Sequence, residues 1–394
     1  MRTLFISYNG ALDSLGQSQI LPYLKEIRKD GHEVSLLTFE RIARRAPERM
    51  GELDEALRRL GIHWVRLRYH KHPPVFSTFW DVACGAAVAC WLVVRHHVEV
   101  LHARSQVSAA MAWPVARLLR KRFIFDLRGQ MAYEYADGGT WAGGGVLFRL
   151  AERAERRFIR DADALVVLTR VLAADVAPFA SCTPMVIPTC VDLTLFPRPD
   201  PKIQVSPPRI VYCGSLGARY ALHLLVSCYV EAVRAIPALR LLVVTHSDGS
   251  GLRHYLEKAR IGPSQYEIVT ASHREIPQYL AQALFGVLLL QGGRSLRGAC
   301  PTKIGEYLAA GLPVLSSAGI GDCTELLEGH RIGVILKDHS QMSFREGIGR
   351  LINLLEEGWS LRERCRSLAE REFSLAGIGG PAYRSLYGTL AGCS

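Results

Sequence analysis

The run Cys300-Pro-Thr-Lys-Ile-Gly-Glu-Tyr-Leu-Ala-Ala-Gly-Leu-Pro-Val314 decides the fold. It opens on a Pro-Thr turn, continues as an apolar helical face that carries the acidic residue Glu306, and stops at Gly311 before a short strand. Loop, helix N-terminus and strand in that order are how α/β proteins present backbone N–H groups and a positive helix end to a phosphate. The spacing predicts Glu306 in the first helical turn. There it would accept hydrogen bonds from ribose hydroxyls while the preceding amides hold a diphosphate. The alternative is a Glu that only complements the helix dipole.

Working outward, the same alternation of short apolar strands and helices fills the chain. Residues 3–8 read as a buried strand, 9–17 as a loop containing Gly10 and Gly16, 18–30 as a helix, and 33–38 as the next strand. This is a βαβ unit with a glycine-containing first turn, the start of a doubly wound parallel sheet. Further strands are predicted at 98–102, 122–127 and 164–168, each apolar enough to be buried on both faces. Residues 197–208 hold five prolines and read as a linker. Beyond it the pattern restarts, with strands at 209–213, 239–245, 267–269, 286–290 and 313–316. The expected architecture is therefore α/β, two Rossmann-like doubly wound parallel-sheet domains facing a cleft. The first domain spans 1–196, the second 209–375, and a C-terminal helix at 376–394 crosses back to the first.

A chain of 394 residues fits two domains. Apolar residues at 49% and charged residues at 22% exclude disordered and fibrous classes. The net charge of +11 points to anionic partners. Residues 41–72 carry nine basic and four acidic side chains, which fit an anionic membrane surface or a solvated basic face. Ten cysteines without a CxxC pair read as small buried hydrophobes in a reducing compartment rather than a disulfide framework. The N-terminus turns polar too early for a signal peptide. The apolar stretch from Val82 to Val94 is too short to span a bilayer. The expected location is cytoplasmic, with peripheral contact at the inner face of the plasma membrane.

Four motifs carry a family resemblance over essentially the whole chain: Gly31-His-Glu-Val34, Val186-Ile-Pro-Thr-Cys-Val-Asp192 with Phe196, Gly214-Ser-Leu-Gly217, and Lys303-Ile-Gly-Glu-Tyr-Leu-Ala-Ala-Gly-Leu-Pro313. With this layout the chain resembles the family 4 glycosyltransferases of the GT-B fold, which are retaining and nucleotide-sugar-dependent. The resemblance implies that Glu306 holds the donor ribose. The family's partner acid, eight residues earlier, is Gly298 here. It implies a diphosphate site at the Gly214 loop, where Ser215 replaces the usual Arg and Arg219 remains of the basic pair. Thr302 and Lys303 complete the donor side. In Phe123-Ile-Phe-Asp-Leu-Arg-Gly129, Arg128 stands closest to the place where the family presents a His toward the donor sugar, with Asp126 as the alternative. An Asp/Arg pair that merely fixes a loop is the competing reading of those two residues. Gly16 resembles the glycine whose amide approaches the diphosphate, and Gln17 and Arg104 are acceptor-side candidates.

The implied reaction moves a sugar from a UDP- or GDP-sugar to a glycan or lipid-linked saccharide in bacterial-type polysaccharide or glycoconjugate synthesis. The implied partners include no nucleic acid, and neither a metal nor another cofactor is required. Asp161-Ala-Asp163 imitates a metal motif but precedes its strand, so it reads as a helix-end turn. The histidines at 70, 72, 96 and 97 lack ligand spacing for zinc. Two alternatives stand beside the transferase: a nucleotide-sugar epimerase of the same fold, and a catalytically silent glycan- or partner-binding protein.

Overall fold

A computed structural model describes residues 1–41, 46–200, 206–217 and 221–392. Among these residues the short apolar runs form one seven-stranded and one six-stranded sheet, and the strands pair in parallel throughout. The chain divides into two units, Met1–Pro188 with Leu375–Ser394, and Thr189–Ser374.

The strands of the first unit are β1 (Arg2–Ser7), β2 (Glu33–Glu40), β3 (Ile62–Arg68), β4 (Val100–Arg104), β5 (Arg122–Leu127), β6 (Ala164–Val167) and β7 (Met185–Val186). They lie in the order β3-β2-β1-β4-β5-β6-β7, so the winding reverses between β1 and β4. Strand carboxyl ends at such a reversal are where open α/β sheets bind ligands. The helix expected at 18–30 is two helices, Ser14–Gln19 and Leu21–Arg28. Pro22 explains the break: it supplies no N–H to continue the first helix but fits the opening turn of the second.

The apolar stretch at 82–94 belongs to a longer helix than expected, Pro74–Arg95, of 22 residues. By length and composition it is apolar enough to cross a membrane, which corrects the expectation. Asp81 interrupts the apolar run in the sequence but not the helix. Its carboxylate accepts from Tyr8 Oη at 2.9 Å and from the His70 amide at 3.1 Å, which fastens the inner face to the unit. Only 33% of the helix's apolar window is buried.

The last helix, Gly380–Gly392, also belongs to this unit and buries Tyr383, Leu386 and Tyr387. Part of the basic 41–72 segment, residues 42–45, lies outside the described residues. The rest forms the helix Ala46–Arg59 and β3.

The second unit contains β8 (Arg209–Cys213), β9 (Arg240–Val244), β10 (Tyr266–Val269), β11 (Phe285–Leu288), β12 (Val314–Ser317) and β13 (Gly333–Leu336). Their order is β10-β9-β8-β11-β12-β13, with the reversal between β8 and β11. This unit begins at Thr189, ahead of the proline-rich 197–208 segment rather than after it. The reason is packing. Val191 bridges to Ser374, its amide donates to the Phe373 carbonyl at 2.7 Å, and Phe196 is 1% exposed in the second unit's core. Residues 201–205 of the expected linker lie outside the described residues.

Candidate functional site

On the second unit, the helix that follows β11 begins at Thr302 and ends at Ala309. Pro301 stands at its cap, so the first turn is occupied by Thr302 to Gly305 and holds no acid. Glu306 is therefore in the second turn, one turn later than expected. It is 5% exposed, too deep for a residue that only complements the dipole from solvent.

Burial pushes the Glu306 carboxyl up to about 7, and the Lys303 charge opposes that rise. His273 Nδ1 lies 3.6 Å from Glu306 Oε1. Burial also lowers the His273 pKa, so the imidazole is neutral at neutral pH and the contact is not a full ion pair. A buried carboxyl with a raised pKa beside a neutral imidazole is a set of acceptors and donors suited to hydroxyl groups.

Lys303 is buried at 6% exposure, with Nζ 4.1 Å from the centre of the Tyr212 ring. Burial pushes its ammonium down to about 8, against the pull of Cys213 and Glu306. Gly214 makes this placement feasible. Its φ is +136°, and a Cβ there would stand 3.1 Å from Lys303 Nζ. The rest of the loop is self-supporting. Tyr212 Oη donates to the Ser215 carbonyl at 2.5 Å, Gly217 N donates to Ser215 Oγ at 3.2 Å, and Leu216 N donates to Ser247 Oγ at 3.0 Å. The helix is pinned to β8 through Tyr307 Oη, which accepts from Cys213 N at 2.8 Å. The fold thus brings together Gly214, Ser215, Lys303 and Glu306, with Thr302 opening the helix. Arg219 lies outside the described residues. Gly298 ends a short 3-10 turn, Arg294–Gly298, and supplies no carboxylate.

On the first unit, Gly16 lies where any side chain would collide, since a Cβ would stand 2.3 Å from the Gly10 carbonyl oxygen. Gln17 is exposed and its Nε2 donates to the Ala11 carbonyl at 2.8 Å. The loop they contact is anchored by the buried Glu40, which accepts from Ala11 N at 2.7 Å and from Thr38 Oγ1 at 2.6 Å. Glu40 carried no motif in the sequence.

Arg104, Asp126 and Arg128 come together at the ends of β4 and β5. Asp126 is fully buried, with Oδ1 2.9 Å from Arg128 Nε, and Tyr383 Oη donates to its Oδ2 at 2.9 Å. Arg128 Nη2 in turn donates to Tyr383 Oη at 2.8 Å. Burial alone would raise the Asp126 pKa. Arg128, His102 and Arg104 overcome that and hold it well below the usual carboxylate range. Asp126 is thus a fixed counter-ion. Tyr383, Tyr387 and His102 were invisible as site residues in the sequence, because the helix that brings the two tyrosines lies more than 250 positions away.

The Asp161–Asp163 pair is committed to structure. Asp161 accepts from Trp113 Nε1 at 3.0 Å and from Arg157 Nε at 2.6 Å, while Asp163 accepts from Phe123 N at 2.8 Å. Among the described residues no group of three or more His, Cys, Asp or Glu side chains could hold a metal.

Comparison with known proteins bears on the family and the fold. Residues 17–182 match the family model described as a glycosyl transferase 4-like domain, and residues 207–354 match glycosyl transferases group 1. No curated protein sequence matches the chain. Among solved structures, sucrose-phosphate synthase from Thermosynechococcus elongatus is similar at 16% identity over 100% of both chains, TM-score 0.78. Anabaena Alr3699/HepE in complex with UDP-glucose is similar at 14% identity over 98% of this chain and 100% of that one, TM-score 0.71. WaaG, a glycosyltransferase involved in lipopolysaccharide biosynthesis, follows at 13% identity over 96% and 98%, TM-score 0.69. Likeness at such low identity shows a shared fold.

Proposed function

We propose, for a chain that belongs to the glycosyltransferases of the GT-B fold, a retaining transfer of a sugar from a UDP- or GDP-sugar to a glycan or lipid-linked saccharide. The observation that carries this reading is the buried Lys303 and Glu306 with the half-buried His273 beside them on the second unit. The ribose hydroxyls bind Glu306 and His273, and the diphosphate binds the Gly214 loop and Lys303. On the first unit, Arg128 supplies positive charge to the reaction, and Asp126 and Tyr383 are positioning residues. With Asp126 locked in its network, a covalent carboxylate intermediate finds no support there. In the transfer step the bond from the anomeric carbon to the phosphate oxygen breaks. The acceptor oxygen bonds to that carbon on the same face, and the acceptor proton passes to the leaving phosphate. The protein supplies positioning and cationic charge for the oxygen that departs. The scheme routes no step through a metal.

Titration calorimetry with UDP and GDP tests the donor site. Glu306→Ala should weaken the preferred nucleotide by about 1–3 kcal/mol, the effect of leaving polar groups unmatched. Unchanged affinity would remove Glu306 from the site. Absence of any nucleotide binding to the wild-type chain would favour a silent binding protein, and turnover without acceptor would indicate an epimerase.

A contact with an anionic membrane belongs to the same reading, at the inner face of the plasma membrane. Its support is the outer face of the Pro74–Arg95 helix, where Phe76, Phe79, Trp80 and Trp91 are 59–75% exposed. Lys71 and Arg95 flank that face, and the chain carries +11 overall. Exposed aromatics with basic residues at both ends suit the headgroup layer of an anionic bilayer. Vesicles containing phosphatidylglycerol should carry the protein upward on flotation, and neutral vesicles should carry much less. Phe76→Ser with Trp80→Ser should lower partitioning at least about tenfold, given roughly 1.5–3 kcal/mol per buried aromatic. Equal flotation of wild type and variant overturns the assignment.

A further inference from the structure

We propose that Arg104 and Arg128 form an anion subsite on the first unit, built to take a phosphate-type oxyanion. The two guanidiniums leave the carboxyl ends of adjacent strands, with Arg104 opposite Asp126 in the register of β4 and β5. Both lie near Tyr23 and Tyr383, and the Arg128 Cζ stands 5.8 Å from the Tyr23 ring centre.

Counting charge makes the case. Among the described residues the titratable groups that act most strongly on this pair are Asp126, His102, Tyr23 and Tyr383, and Asp126 is the anion of that set. Burial lowers the His102 pKa and leaves it neutral. Asp126 already serves Arg128 and Tyr383. Two buried cations therefore share one carboxylate.

The hydrogen-bonding tally points the same way. Arg104 Nε and Arg128 Nη1 are buried, and neither is hydrogen-bonded among the described residues. Arg128 Nε, 2.9 Å from Asp126 Oδ1, is spent on that ion pair. Uncompensated charge and orphaned donors are both unfavourable inside a protein, and each instance calls for a reason. Anchoring the C-terminal helix is not that reason for Arg104. That anchor runs through Asp126 and Tyr383 and through His102 Nδ1, 2.8 Å from Tyr387 Oη. A phosphate-type oxyanion supplies what is missing: negative charge, and several acceptor oxygens in reach of planar guanidinium donors. Arg104 is 6% exposed and the Arg128 side chain 9%, so an oxyanion bound to the pair would itself be largely withdrawn from water.

The source of the oxyanion rests on the glycosyltransferase reading: a phosphate carried by the acceptor, or the diphosphate of the donor. The test titrates the full chain with inorganic phosphate against chloride at fixed ionic strength, followed by thermal melting. Phosphate should raise the wild-type Tm saturably. Arg104→Met should lose that response and melt no lower than wild type without phosphate. The second measurement separates ligand binding from a structural role, because replacing an uncompensated buried cation with an apolar side chain relieves strain, whereas removing a paired one strands its partners. A wild type with no saturable response, a variant that still responds, or a variant that melts lower in chloride each overturns the subsite. UDP affinity then separates the sources. If it is unchanged in Arg104→Met, the oxyanion is the acceptor's; a loss of at least about tenfold assigns it to the donor diphosphate. If wild type fails to bind UDP but responds to phosphate, the function reading falls and the subsite stands.

Discussion

Lys303→Met is expected to lower kcat by at least about 100-fold, about 2.7 kcal/mol of transition-state stabilisation. The ammonium is buried against Tyr212 next to the Gly214 loop, where interaction with developing phosphate charge is weakly screened. Its folded pKa is depressed to about 8 by burial. The charged form, to which the proposed mechanism assigns stabilisation of the leaving group, is therefore lost as pH rises through about 8 in the free enzyme. The wild-type kcat/KM profile should fall on that limb, and the Lys303→Met profile should not. The sign for stability is opposite. A lysine with a lowered folded pKa opposes folding below its unfolded pKa, so at pH 7 the variant should unfold at no lower denaturant concentration than wild type. A variant with raised KM and unchanged kcat would show that Lys303 contributes only to ground-state binding.

Local patterns in the sequence recovered the scaffold well. β5 and β8 fall on the apolar runs predicted for them, because a strand buried on both faces needs a continuous apolar stretch and little else. The helix Thr302–Ala309 was legible for a related reason: Pro301, the apolar face and Gly311 fix its two ends to within a turn. That same one-turn uncertainty put Glu306 at the helix entrance instead of in its buried second turn. What the sequence hid was set by distant partners. The order of residues in β5 displays Asp126 and Arg128 side by side, yet their meaning depends on Tyr383, supplied by the C-terminal helix. The Pro74–Arg95 helix is a case of a different kind. Its composition is plain in the sequence, but which side faces outward is decided by Asp81 fastening one face to Tyr8 and His70. The proline-rich segment likewise looked like the boundary between units, while Val191 and Phe196, on its N-terminal side, were already core residues of the second unit.

Asp126→Asn should destabilise the first unit by about 3–5 kcal/mol, the range for removing one partner of a buried ion pair. The change is nearly isosteric, so the loss measures charge rather than shape. Without the carboxylate, Arg104 and Arg128 are left as two buried cations with no anion among the described residues that act most strongly on them. The pH dependence has a definite sign. The folded pKa of Asp126 is depressed, mainly by Arg128 working against burial. Its contribution is therefore fully present above the unfolded value of about 4 and disappears as pH falls through the folded value. The gap between wild type and variant should be largest at neutral pH and should narrow in acid. Five of the six tryptophans, Trp64, Trp80, Trp91, Trp113 and Trp141, lie in the first unit, so urea unfolding followed by tryptophan emission reports on that unit. Adding Arg104→Met to Asp126→Asn should return part of the lost stability, because it removes one of the two stranded cations. If the two substitutions were simply additive in their harm, Arg104 would have its own structural partner and the shared-carboxylate account would be wrong.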